Sequence, residues 1–376
     1  MKAALALPIL ALPTRAGAAE TGEVGFSTLG YKERGLIKVT EPLLWLRAKL
    51  GEDWEVAASG AVDVVTGASP ELITNRDRAA NGEARFAQTV TGASINDRRT
   101  TADAKVTRHF GDFALSVTRA VSNEEDYRSR AFGVEARLDL DQRNTTLTAG
   151  FGRSADRVRS SVDATLDAPR DTKEYLLGVT QLLSPLALVQ STVSVARGRG
   201  WYNDPYKLTL SFYPDDPIPV LAPDQRPDHR NSMAWLTRYR RHFPGAGGTL
   251  QVDYRYYRDD WGIRAHALEG AWEQALGERW SIRPALRYYT QQAADFYSPL
   301  APEMQPAVQS SDQRLASFGG LSPSLRVTLR LESGFVVEGT AGYLHNAAAL
   351  HAGGSGSPAF ETLRAIYGLL SVSRAF

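Results

Sequence analysis

Along most of the chain, hydrophobic and polar residues alternate with a period of two. Trp54, Val56, Ala58, Gly60, Val62 and Val64 are interleaved with Glu55, Ala57, Ser59, Ala61 and Asp63. Leu250, Val252, Tyr254 and Tyr256 are interleaved with Thr249, Gln251, Asp253 and Arg255. Successive side chains of a strand point to opposite faces, so each segment has one apolar and one polar face. No segment of comparable length carries a helical period. The chain closes in the same way: Ile366, Gly368, Leu370, Val372 and Arg374 lead by twos to a terminal Phe376.

Seven short junctions rich in Gly, Asp, Asn and Pro interrupt the alternation. They are Gly51 to Asp53, Gly111-Asp112, Asp141 to Asn144, Ser184-Pro185, Pro244 to Gly248, Gly277-Glu278 and Glu332 to Gly334. These residues supply the backbone angles of hairpins. Longer polar stretches lie between them, near 67–98, 154–172, 199–230, 291–312 and 346–358. Short turns alternating with long loops is the asymmetry of a transmembrane antiparallel β-barrel. Seven hairpins account for fourteen strands. An opening strand near 22–30 and a closing strand near 359–376 bring the expected total to about sixteen, within bounds of fourteen to eighteen. The stretch 313–330 fits least well, because Pro323 breaks its pattern.

Composition narrows the picture. Lys plus Arg is 43 against Asp plus Glu 42, which offers no global attraction to nucleic acid. Absent cysteine excludes disulfides, thiolate metal sites and a Cys nucleophile, and suits a periplasmic route. Mean hydropathy is −0.29, and beyond the N-terminus no apolar run is long enough for a transmembrane helix. Lys2, the apolar stretch Ala3 to Leu12 and the small residues Ala16-Gly17-Ala18 read as a signal peptide over 1–18. Residues 19–376 are then expected to form a single barrel domain.

With the apolar faces turned to lipid, the polar faces line a lumen. Arg238, Arg240, Arg255, Arg264, His266, Arg283 and Arg287 are expected as a basic wall on the late strands. Glu55, Asp63, Asp103, Glu135 and Asp139 are expected as an acidic wall on the early strands, with Lys105 and Arg137 among them. Trp45, Trp54, Tyr175, Trp235, Trp272, Trp280, Tyr343 and Phe376 fall near predicted strand ends and suggest aromatic girdles. Phe376 also has the position of an assembly signal read by the barrel assembly machinery.

Several segments are more particular than a generic barrel requires. They are Thr91-Gly-Ala-Ser-Ile-Asn-Asp97, Asp204-Pro-Tyr-Lys207, Tyr254-Arg-Tyr-Tyr-Arg-Asp-Asp-Trp-Gly-Ile-Arg-Ala-His266 and Arg287-Tyr-Tyr-Thr-Gln-Gln-Ala-Ala-Asp-Phe-Tyr297. With the closing strand, they resemble the bacterial outer-membrane family numbered 3570 among domains of unknown function. The resemblance implies a barrel in the outer membrane and a small lipoprotein or redox partner. It implies no activity, cofactor or catalytic residue.

Other chemistry finds little support. A rim enzyme would draw on Asp259, Asp260 and His266, but no second acidic pair accompanies them, and Tyr289-Thr290-Gln291 is only a faint echo of a phospholipase fragment. Asp215, Asp216, Asp224 and Asp228 sit in a proline-rich loop with Arg226 and Arg230 among them, and no calcium-loop pattern is present. Thr-Gly-Ala-Ser recurs at 66–69 and 91–94, as two turns at the ends of one loop or as chance repetition. A TonB-dependent transporter would need about 22 strands and a plug domain. The expectation is a passive, porin-like channel for small polar or anionic solutes, surrounded by outer-membrane lipids, with no metal and no nucleic-acid partner. The alternative is a non-conducting scaffold that binds a small lipoprotein or redox partner.

Overall fold

The computed structural model describes residues 21–34, 37–78, 84–213 and 216–376. The signal-peptide expectation and Asp215 lie outside these residues. The first half of the wall is β1 (Gly22–Glu33), β2 (Ile37–Leu50), β3 (Trp54–Arg78), β4 (Ala84–Phe110), β5 (Phe113–Asn123), β6 (Tyr127–Leu140), β7 (Thr145–Arg159), β8 (Asp167–Ser184) and β9 (Ala187–Gly200). A side hairpin follows, β10 (Leu208–Tyr213) and β11 (Asp216–Pro223). The second half is β12 (His229–Phe243), β13 (Gly248–Asp259), β14 (Arg264–Leu276), β15 (Trp280–Gln291), β16 (Phe318–Arg330), β17 (Phe335–Ala347) and β18 (Leu363–Ala375). Each wall strand pairs antiparallel with its neighbours, β9 pairs with β12, and β1 pairs with β18, so sixteen strands close into a barrel without edges. Closure leaves no strand with unpaired backbone groups, the condition for a sheet to stand in lipid.

The predicted junctions are the turns at one end of the barrel. Gly111 adopts φ 65°, a conformation that glycine reaches without steric cost, between β4 and β5. Asp141, Gln142 and Arg143 are all left-handed between β6 and β7. Proline leaves a local mark in the ladders because it has no N–H to donate. Pairing of β16 with β17 skips Pro323, and pairing of β2 with β3 skips Pro42, while both residues stay in register with the strand on their other side. Pro323 therefore interrupts one ladder without ending its strand.

Two expected loops are largely strand. Residues 67–78 and 84–98 belong to the long strands β3 and β4, and Ala68 pairs with Ser94, so the repeated Thr-Gly-Ala-Ser segments lie against each other in the ladder rather than forming two turns. The stretch 154–172 narrows to a loop at 160–166, because β7 and β8 continue on either side. A ladder satisfies its own backbone and needs no apolar face once it leaves the membrane.

Cross-strand register assigns the faces. One row carries Leu177, Val193, Trp235 and Tyr256, and the adjacent row carries Thr192, Leu236 and Arg255. The first face is outward: Leu44, Leu177 and Leu370 are 59, 68 and 53% exposed. So large an apolar surface would be costly in water and is what a bilayer requires. Among the described side chains of the wall strands, outward acids are confined to β8, as Asp167 and Asp171. Trp54, Tyr175, Trp235, Trp272, Trp280, Tyr343 and Phe376 face outward, whereas Trp45 faces the lumen and covers Gly25 of β1.

Candidate functional site

Inside the barrel, several of the expected wall charges are neutralised by neighbours on the same wall. Glu55 pairs with Arg47 at 3.3 Å, Asp63 with Arg99 at 3.3 Å and Glu135 with Lys105 at 3.0 Å. Asp103 accepts from Ser59, and Asp139 accepts from Thr146 at 2.7 Å. On the late strands, Asp253 takes both Arg238 and Arg240 of the adjacent strand, and Glu269 reaches Arg283 at 3.1 Å. Two long opposed walls therefore reduce to local pairs. Of the arginines expected on the basic wall, Arg255 and Arg287 are inward, exposed and without an ion pair among the described residues.

Arg264 and His266 correct the sequence reading. Register places them outward, with Arg264 opposite Arg258 and His266 opposite Tyr256, where the His266 Nδ1 lies 2.8 Å from the Tyr254 hydroxyl. The inward residues of this segment are Ala265 and Ala267, 3 and 9% exposed. Asp259 points inward, where it accepts from Arg230, Tyr257 and the backbone of Trp261 and Ile263. Asp259 and His266 thus sit on opposite faces of the wall and cannot act on one substrate.

The long-loop end is roofed by segments that fold together, 201–213 with 216–228, and 292–317. Gln225 and Gln309 exchange backbone bonds at 2.9 and 2.8 Å, and the Ala301 N–H donates to Ser211 Oγ at 2.8 Å. Trp261, Ile263, Ala294 and Leu315 form a small core beneath them, joined by Tyr202, Tyr257, Phe296 and Tyr297. At the centre, Asp312 accepts from Arg226 Nη2 at 2.8 Å and from Arg314 Nε at 2.8 Å, while Arg314 Nη2 donates to Asp204 at 2.9 Å. Burial alone would raise the Asp312 pKa, but Arg314, Arg226 and Lys207 outweigh it and hold the carboxyl far below the usual range. Sequence reading missed this roof, because its partners come from distant loops with no common period.

Under the roof lies a chamber of about 550 Å³. Arg99, Arg230, Arg255 and Arg287 enter it together with Tyr127, Tyr202, Tyr257 and Tyr289. Arg230 is held by Asp259, and Arg287 lies over the Tyr289 ring at 5.9 Å. The chamber therefore presents two uncommitted guanidinium groups among aromatic rings, a setting suited to carboxylate or phosphate groups.

Metal-binding geometry is limited. Asp224 is engaged by Arg226 and Ser310, and Asp228 by His229, so the loop aspartates do not converge on one point. Asp97, Glu124 and Asp126 bring carboxylate oxygens within 4.8 Å of one another. Arg99 already reaches Glu124 at 3.6 Å, and the Tyr206 hydroxyl donates to Asp126.

A closed sixteen-stranded barrel with an apolar outer face and a charged interior has the architecture of bacterial outer-membrane barrels. The chain belongs to the family described as Protein of unknown function (DUF3570), which matches residues 1–169 and 159–357. Among solved structures, a bacterial polysaccharide outer-membrane secretin is similar with a TM-score of 0.52 and 7% identity, over 96% of this chain and 100% of that one. The siderophore receptor PirA from Pseudomonas aeruginosa has a TM-score of 0.46 and 10% identity, over 95% of this chain and 62% of that one. A channel titled CymD monoaromatic hydrocarbon channel has a TM-score of 0.43 and 11% identity, over 95 and 89%. The secretin likeness shows a shared fold. No curated protein matches the sequence.

Proposed function

We propose that this protein resides in the outer membrane and passes small anionic solutes through a lumen narrowed by its own loops. The observation that carries the reading is the pair Arg255 and Arg287, inward, exposed and without an ion pair among the described residues, in the chamber beneath the roof. A guanidinium stays charged at any working pH, so this attraction is permanent. Arg137 and Glu174, also inward and exposed, mark solvent space elsewhere around the lumen. A passing anion would exchange part of its hydration for Arg255 and Arg287, and no step needs a catalytic group. The test is reversal potential across a planar bilayer under a potassium chloride gradient. Wild type should prefer anions, and Arg255→Gln with Arg287→Gln should move the preference toward cations. A cation-selective wild type, or unchanged selectivity in the double variant, overturns the proposal.

The roof favours a second reading. Its buried ion network and small apolar core are built like a fixed plug. A barrel sealed in this way would serve as a scaffold for a small lipoprotein or redox partner. Absence of conductance in correctly folded protein would support that reading over the channel.

A further inference from the structure

Directly opposed like charges on a sheet repel each other and are normally avoided. On the outward face of this barrel they recur near the long-loop end. Arg258 is the register partner of Arg264, and Lys173 is the partner of Arg197. These four side chains are exposed, and none forms an ion pair among the described residues. Lys32 opposite Lys38 repeats the arrangement elsewhere around the wall, and Arg128 stands opposite Arg157, which pairs with Asp167 at 2.9 Å.

The two central pairs share one open groove of about 1110 Å³. Its floor toward the membrane is apolar, because Tyr175, Val195 and Met233 line it on the same face. Of the carboxylates lining the groove, Asp171 pairs with Arg153 at 2.7 Å and Asp259 with Arg230 at 2.6 Å, while Asp260 accepts from Asn231, itself in the groove, at 2.7 Å. The short-turn end differs. There the outward cations Arg108, Arg241 and Arg374 lie over Trp54, Phe243 and Phe335 at 5.1, 5.0 and 5.1 Å. Unstacked, mutually repelling cations beside and above an apolar floor match a ligand with phosphates at one end and hydrocarbon at the other.

We infer that this groove binds the phosphorylated headgroup of a lipid in the loop-side leaflet, with Arg258, Arg264, Lys173 and Arg197 as its phosphate contacts. Phosphate between paired cations turns repulsion into bridging, and guanidinium groups bind it in bidentate fashion. The apolar floor selects a lipid over free phosphate. The inference rests on the membrane-spanning barrel and is independent of whether the lumen conducts.

The experiment is native mass spectrometry of the full chain in detergent, titrated with bis-phosphorylated lipid A and with its enzymatically dephosphorylated form. Each cation near an anionic headgroup contributes about fivefold in affinity. Arg258→Ser with Arg264→Ser should therefore weaken binding of the phosphorylated lipid about 25-fold. Arg258→Lys with Arg264→Lys should retain most of it. Heat-modifiable migration identifies folded protein, and the comparison of the two lipids on wild type decides the question even if the serine variant does not fold. Equal binding of the two lipids, or unchanged affinity in the folded serine variant, overturns the inference. Displacement of the lipid by inorganic phosphate alone also overturns it, since the site would then recognise the free ion.

Discussion

Replacing Asp312 with Asn should release the roof while leaving the barrel wall intact. Asp312 is 2% exposed at the side chain, so solvent screens little of its interaction with Arg226 and Arg314. Removing one partner of a buried ion pair costs about 3–5 kcal/mol, and here Arg226 keeps Asp224 and Arg314 keeps Asp204. Asn keeps one acceptor oxygen, which places the expected loss near the lower bound, about 3 kcal/mol. That corresponds to roughly a hundredfold rise in the open fraction of the roof. The network sits in loops and contributes no bond to the wall ladders, so folded barrel should persist. The assay is limited trypsin digestion of folded, heat-modifiable protein, scored by cleavage after Lys207 and Arg314. Wild type should resist, and Asp312→Asn should be cut about a hundredfold faster in the regime where cleavage follows the open population. Acid offers a second arm. A carboxyl whose folded pKa is depressed contributes stability above its unfolded pKa and loses it only as pH falls through the folded value. The roof should therefore be as resistant at about pH 4.5 as at about pH 7 when probed with an acid-tolerant protease. Unchanged trypsin resistance in the variant, or a wild-type roof that opens by pH 4.5, would refute the reasoning.

Two further outcomes follow from the wall. Val252→Arg puts a cation on the lipid face and should cost about 2–4 kcal/mol of folding stability in vesicles, whereas Gln251→Arg, on the lumen face beside Glu273, should cost under about 1 kcal/mol; equal losses by urea titration would show that the face assignment is wrong. Phe376 accepts backbone bonds from Thr21 and Gly22, donates one to Gly22 and covers that glycine with its ring. Deleting it should cost only about 1–3 kcal/mol in refolded protein yet sharply reduce insertion in cells, and normal insertion at native expression would count against an assembly role.

The barrel was legible in the sequence because its cause is local. A period of two sorts side chains by face, and Gly, Asp, Asn and Pro mark the turns, so the seven junctions, the sixteen strands and the outward Leu250 and Val252 follow without tertiary information. Where the local signal weakens, the reading fails. In Arg264-Ala-His266-Ala the alanines are too small to announce a lipid face, and they point inward because the lumen there is already crowded by Trp261, Tyr257 and the roof. Trp45 is inward because Gly25 on the neighbouring strand makes room for its ring, a relation visible only once the strands are paired. Polar stretches read as loops, although paired strands continue through 67–78 and 84–98, since backbone ladders are indifferent to side-chain polarity above the membrane. The roof depends on Asp204, Arg226, Asp312 and Arg314 meeting across about a hundred residues of sequence, and the neutralisation of the walls depends on which charges become neighbours. Which arginines remain uncommitted is thus decided by tertiary contact, because a charge acts at a distance only when no partner stands beside it.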